Sequence, residues 1–380
     1  MKAFTLSALA LSALMTSALG FTTTRLAAAP AQIRIGVGGP MTGSDAVFGT
    51  QMRNGVEQAV HDINAAGGIL GKTLTVEIGD DAGDPKRAAP IANKFIADHV
   101  NFVVGHFNSG ATLPASAIYA EHDILEITPA STNPQITERG LETLFRTCGR
   151  DDQQTAVAAK FLARFGTRKI AILHDRTTYG KGLADATRAQ LAKLGIKDVL
   201  YDSVDKGEQN YSSLMAKIKA SGADIVYWGG QQTEAALILR QMREHGVKAA
   251  LMASDAIAAD DFASVAGDAT IGTYMTFPSD PRNRPEAANV LKEFKARNID
   301  PETYTLYSYA AVEVIKQAVE RAKSLDPIAL AKLMHTGMHF KTVLGNISFD
   351  AKGDITRPDY IVFIWRKGPD GKISYYPLKK

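Results

Sequence analysis

The sequence predicts an α/β protein made of two lobes, each a doubly wound parallel sheet. Three observations carry that expectation. Short apolar runs alternate with amphipathic, helix-period stretches; the alternation restarts after residue 150; and the roughly 349 residues that follow an N-terminal leader exceed what one hydrophobic core usually fills.

The elements follow in order. An apolar strand is expected at 33–37, then a helix carrying Val56, Val60 and Ile63 on one face and stopped by Gly67 and Gly68. A second strand at 74–78 precedes a helix opened by Asp84 and Pro85, an acidic cap with proline in the first turn. A third strand at 102–104, a helix over 110–122 and a fourth strand at 124–128 complete the first run. The second run has strands at 169–174, 199–204, 224–228, 249–253 and 271–277, with helices at 182–194, 212–220 and 233–244 between them. A proline-rich polar stretch at 278–285 leads to helices at 286–297, 303–323 and 326–335. The pattern closes on a β-hairpin, 360–365 and 373–376, turning through residues 367–371.

Residues 1–31 stand apart from this pattern. Lys2 gives a short positive start, 4–19 is apolar and uncharged, and Ala29-Pro30-Ala31 is a small-x-small cleavage site, so the segment is expected to be a secretory signal peptide. The apolar run is shorter than the roughly 20 residues that span a bilayer. The expected product is an exported, periplasmic protein. Its single cysteine, Cys148, leaves no intramolecular disulfide. The formal net charge of +3 comes from basic and acidic residues interspersed along the chain, which argues against nucleic acid as a partner.

Two turns carry the chemistry. Strand 102–104 runs into His106-Phe-Asn-Ser109-Gly110, and strand 124–128 into Pro129-Ala-Ser-Thr132-Asn133. In an open α/β sheet ligands sit where strands hand over to helices, because free amide N–H groups and helix dipoles point there. Ser109, expected to cap a helix beginning near Gly110, and Thr132 therefore suggest a site for a small carboxylate. Other chemistries lack their residues. Gly36-Val-Gly38 has Met41 where a dinucleotide turn needs its third glycine, and there is no phosphate loop, nucleophile elbow or zinc helix. The eight histidines show no metal-ligand spacing, so no metal or cofactor is expected, and the protein is not expected to be an enzyme.

Taken together, the stretches 33–43, 59–69, 80–85, 104–106, 127–130, 145–147, 174–182, 226–230, 309–311 and 349–354 resemble, in order, the periplasmic solute-binding proteins of branched-chain amino acid ABC transporters, the leucine/isoleucine/valine-binding type. The resemblance covers essentially all of the chain after the leader. It implies a type I periplasmic binding protein fold with a three-segment hinge, lobe 1 being 32–150 plus 280–355 and lobe 2 being 151–279 plus 356–380. It also implies an amino acid as ligand, a membrane permease as partner, a monomer, and no catalysis.

Carried over by position, Ser109 and Thr132 match the groups that hold the ligand carboxylate. The Ala130 carbonyl, with Thr132 and the acid Asp255, matches the ammonium grip. Tyr179 matches a tyrosine that closes over the ligand, while Phe48 and Tyr304 match aromatic walls beside the ligand side chain; Phe107, Asn108 and Gln231 are further candidate ligand-binding residues. Four positions depart from the pattern. Gly83 and Asn108 replace a cysteine pair, Gln231 stands where a tyrosine is usual, and Asp255 is one methylene shorter than the usual glutamate. These departures point to a ligand somewhat larger than leucine or one with a polar tail. Rival readings are an aromatic or other organic acid, a small amide, or an exported hydrolase using His174 or His106 as a base.

Overall fold

The computed structural model describes residues 32–166 and 169–379. The segment read as a signal peptide, 1–31, lies outside the described residues. Among the described residues no helix is long and apolar enough to cross a membrane.

The first sheet is built by strands β1 (Ile33–Gly39), β2 (Leu74–Asp80), β3 (Phe102–Gly105), β4 (Leu125–Thr128) and β5 (Leu144–Arg146), all parallel, in the order β2-β1-β3-β4-β5. Helices α1 (Ala46–Ala65), α2 (Pro85–Ala97), α3 (Ser109–Glu121) and the short α4 (Gln135–Glu138) connect them. Strand alternation feeds both faces: Phe102 and Val104 join the core that includes α1, and Val103 joins the core lined by α2 and α3. The expected cap of α2 is present, Asp84 accepting the Lys86 N–H at 2.9 Å with Pro85 in the first turn.

The chain then enters a second sheet through α5 (Asp151–Leu162). Strands β6 (Ile170–His174), β7 (Leu200–Ser203), β8 (Ile225–Gly229), β9 (Ala250–Ala253) and β10 (Tyr274–Pro278) alternate with α6 (Thr178–Lys193), α7 (Ser212–Ser221), α8 (Gln232–Glu244) and α9 (Asp260–Ala266). After β10 the chain returns to the first sheet's side with α10 (Ala288–Ala296), α11 (Thr303–Ala322), α12 (Pro327–Met334) and the small hairpin of β11 (Phe340–Thr342) and β12 (Gly345–Ile347). Helix α11 lies along α1 so closely that a Cβ on Gly55 would sit 2.1 Å from the Thr305 carbonyl oxygen, which reserves that position for glycine.

A last crossing brings the hairpin β13 (Tyr360–Lys367) and β14 (Ile373–Pro377) back to the second sheet, giving the order β14-β13-β10-β9-β8-β6-β7. That sheet is mixed rather than wholly parallel. The short turn between β13 and β14 can only reverse the chain, and β13 pairs antiparallel with β10.

One buried group in the first sheet is unusual. Glu126 on β4 is 1% exposed, and neither carboxylate oxygen makes a hydrogen bond of normal geometry although the His106 amide and Arg139 are near. Burial pushes its carboxyl well above the usual range. A folded-state value above the unfolded one means stability that is complete below the unfolded value and lost as pH rises through the folded one. Glu126→Gln keeps the shape without the charge. The expected result is a melting temperature close to the parent's in acid and a gap favouring the variant that widens towards alkaline pH, to about 1–3 kcal/mol. Thermal melts across a pH series measure it, and a gap independent of pH rejects the account.

Candidate functional site

The carboxyl ends of β3 and β4 meet in a web of hydroxyls. Thr128 Oγ1 donates to the His106 carbonyl at 2.7 Å, and Ser131 Oγ lies 2.9 Å from both the His106 and Phe107 carbonyls and 2.5 Å from Thr112 Oγ1. Arg146, fully buried and paired with Asp354 at 2.6 Å, donates through Nη1 to the Ser131 and Asn133 carbonyls at 2.9 and 3.2 Å. The two turns are thereby fixed as one rigid ledge.

On that ledge Ser109 and Thr132 are each 1% exposed. The expected cap is displaced by one residue: α3 begins at Ser109 itself, with Asn108 in extended conformation as the N-cap residue. The physical reason is that Asn108 donates its side chain to Asp45 at 2.9 Å, holding the backbone extended and starting the helix one residue earlier. Ser109 Oγ instead accepts the Asn133 N–H at 3.3 Å, tying one turn to the other. Thr132 Oγ1, beside Asp151, closes no hydrogen bond of normal geometry. Ala130 is buried as well.

The second sheet contributes the opposite half. Neighbouring strands β6, β8 and β9 end in Asp175, Gln231 and Asp255. Asp175 holds the starts of α6 and α8 together, accepting the Gln231 N–H at 3.0 Å and the Thr177 N–H and hydroxyl at 3.0 and 2.6 Å. Burial raises its carboxyl to about 6. Tyr179 sits in the first turn of α6 and Gln231 caps α8. The Gln231 carbonyl accepts the Trp228 indole N–H at 3.1 Å, while its side-chain oxygen is buried without a partner.

Asp255 is the centre of the arrangement. It is 4% exposed, with the two halves closed on each other. Its oxygens accept from Tyr179 Oη at 2.7 Å, Gln154 Nε2 at 3.0 Å and, from α11, Tyr304 Oη at 2.8 Å. Gln154 Nε2 also donates to Asp151 Oδ1 at 2.9 Å, so one amide bridges two buried carboxylates. Burial raises Asp255, and burial followed by the Asp255 charge pushes Asp151 up to about 7. Among the described residues neither acid forms an ion pair; Arg146 nearby is committed to Asp354. Asp151, Gln154 and Ser254, which bonds Tyr179 Oη at 2.5 Å, join this candidate site and are not among the residues named from the sequence.

The aromatic residues named from the sequence pack against one another. Phe48 stacks on Phe107 with centroids 4.4 Å apart, and Tyr304 meets both edge-on at 5.6 and 5.2 Å. Phe277 on β10 adds a fourth ring at 5.7 Å from Tyr304. Between the two halves a cavity of about 420 Å³ is lined by Asn108 and Ser109 on one side and by Arg176, Tyr179, Lys206 and Gln231 on the other. The candidate bases have structural partners: His106 is fully buried between Asp81 at 2.6 Å and Tyr119 at 3.1 Å, and His174 Nδ1 accepts the Arg176 N–H.

Comparison with known proteins establishes the family and the fold. The sequence profile described as periplasmic binding protein matches residues 32–369. A Leu/Ile/Val-binding protein homolog 1 from Brucella suis is 51% identical over 346 residues, covering 91% of this chain and 93% of that protein. Among solved structures, a leucine-binding protein from Thermotoga maritima superposes with a TM-score of 0.82 at 26% identity, over 90% of this chain and 97% of its own. The branched-chain amino acid transporter substrate-binding protein of Streptococcus pneumoniae, solved with isoleucine, gives 0.80 at 25% identity, over 92% of this chain and all of its own. The chain belongs to the periplasmic binding protein family, in its Leu/Ile/Val-binding branch, and has the type I fold of that family.

Proposed function

We propose that the protein, exported and monomeric, captures an amino acid with an apolar side chain, the branched-chain amino acids included, and delivers it to the membrane permease of an ABC transporter. The observation that carries this reading is the pair of buried carboxylates, Asp255 and Asp151, sharing one amide and lacking a cation. Two such carboxylates can both stay ionised only when a positive group joins them; without one, burial favours their protonated forms. An α-ammonium supplies that group, and the buried ledge of Ser109, Ala130 and Thr132 with the α3 N-terminus would take the α-carboxylate. The rings of Phe48, Phe107 and Tyr304 form the wall for the side chain. An organic acid without an amine would bring a third negative charge beside the two and neutralise neither.

In this reading lobe 1 is 32–150 plus 280–355 and lobe 2 is 151–279 plus 356–380, and ligand favours the closed form to the extent that it binds that form better. No cofactor takes part. The relative solved with isoleucine supports the ligand class. The test is a thermal-shift panel of leucine, isoleucine, valine, other amino acids and benzoate on protein lacking residues 1–31. A ligand at 100 times its Kd stabilises by about 2.7 kcal/mol. Trp228, hydrogen-bonded to Gln231, offers a fluorescence readout on the same samples. If benzoate shifts the melt and no aliphatic amino acid does, the reading fails.

A further inference from the structure

Asp45, in the turn between β1 and α1, is fully buried, yet its only ion-pair partner among the described residues comes from the other sheet. Lys206, just after β7, places Nζ 2.7 Å from Asp45 Oδ2, the same oxygen that accepts Asn108 Nδ2 at 2.9 Å. Gly83, in a left-handed conformation with φ +70°, leaves the room: a Cβ there would stand 3.0 Å from Asp45 Oδ2 and Asn108 Oδ1 and 3.2 Å from Lys206 Nζ. Lys206 lines the cavity at the mouth of the cleft and still has 27% of its side chain in contact with solvent. Other contacts between the two halves near the mouth are weaker and neutral, Asn133 Nδ2 to the Thr178 carbonyl at 3.0 Å and Thr233 Oγ1 to the Ser44 carbonyl at 3.4 Å.

We propose that Lys206 is a positioning residue for ligand capture: its ion pair with Asp45 ties the two halves of the cleft and sets how readily the protein closes. When the halves separate, Asp45 keeps Asn108 but loses its cation, so the pair contributes to the closed state alone. Breaking it shifts the open–closed balance while leaving Asp255, Tyr179 and Tyr304 in place, and through that balance it shifts affinity. The tie is electrostatic and reaches solvent through the exposed part of Lys206, so salt weakens it in part.

The inference rests on the cleft closing around its ligand, and its test separates that from the ligand's identity. Cysteines are placed at the touching positions, Ser44→Cys with Thr233→Cys, in protein without ligand. The rate of oxidative cross-linking then reports closure. Adding Lys206→Met is expected to slow cross-linking roughly tenfold, Lys206→Arg to leave it within about twofold, and raised salt to slow the parent but not the Met variant. In a second arm, L-leucine affinity measured for Lys206→Met, Asp45→Asn and the double variant is expected to fall by a similar factor in each, not by the product. Equal cross-linking rates with Lys and Met at 206, or losses of leucine affinity that multiply in the double variant, would overturn the proposal. If the parent binds no leucine, the ligand reading fails and the cross-linking arm still decides on the tie.

Discussion

Replacing Asp255 with asparagine is expected to cost leucine affinity about 2–5 kcal/mol, roughly thirtyfold to several thousandfold, while the protein without ligand stays folded. The two effects separate because the carboxylate serves only one state. In the empty protein Asp255 is a desolvated charge raised by burial, next to Asp151 and matched by no cation; asparagine retains an acceptor for Tyr179 or Gln154 and an N–H₂ that can donate to Tyr304. Its melting temperature without ligand is therefore expected to equal or exceed the parent's. With an ammonium bound, the same position loses a charge partner in a site that excludes water, where nothing replaces it. Calorimetric titration with L-leucine gives the affinity and a melt without ligand gives the folding term. An affinity within twofold of the parent's would remove Asp255 from the ammonium site.

What the sequence makes legible here is set by how local each signal is. The βα rhythm, the Asp84-Pro85 helix start and the closing hairpin depend on residues within a few positions of one another, and they stand where expected. Strands of three residues, β5, β11 and β12, are too short to show alternation. Helix α5 hides for a different reason: it opens with Asp151, Asp152, Gln153 and Gln154, and buries Asp151, Gln154 and Thr155, so its inward face does not read as apolar. The same property conceals half of the candidate site. Asp151 looks like an ordinary acid in a first helical turn, and Gln154 becomes a bridge only because folding brings it to Asp255, 101 positions away. The ledge residues Ser109 and Thr132 are legible because strand-end turns advertise themselves, whereas a charge pair such as Asp45 with Lys206, 161 positions apart, leaves no trace in either neighbourhood.

The pairing of Asp151 with Asp255 carries a pH dependence whose sign is fixed. Without ligand, burial and the neighbouring charge hold Asp151 near 7 and burial raises Asp255. An ammonium placed between them favours both ionised forms, so their values fall on binding and protons are released where the empty site held them. Leucine affinity is therefore expected to be nearly flat above about pH 8 and to fall by up to roughly tenfold per pH unit below about pH 7. Stability of the empty protein runs the other way. A folded-state value raised above the unfolded one contributes stability below the unfolded value that is lost as pH rises through about 7, so from this pair the empty protein melts higher at pH 6 than at pH 8. The stabilisation that leucine adds grows over the same interval. Titrations in buffers of different ionisation enthalpy count the protons, with close to one released at about pH 6 and few at about pH 8. Asp151→Asn is expected to remove most of the release and to flatten the affinity profile, which a merely structural Asp151 would not do. Affinity that is constant between about pH 6 and pH 8 in the parent, with no proton released, would mean that the bound group is not a cation shared by these two carboxylates.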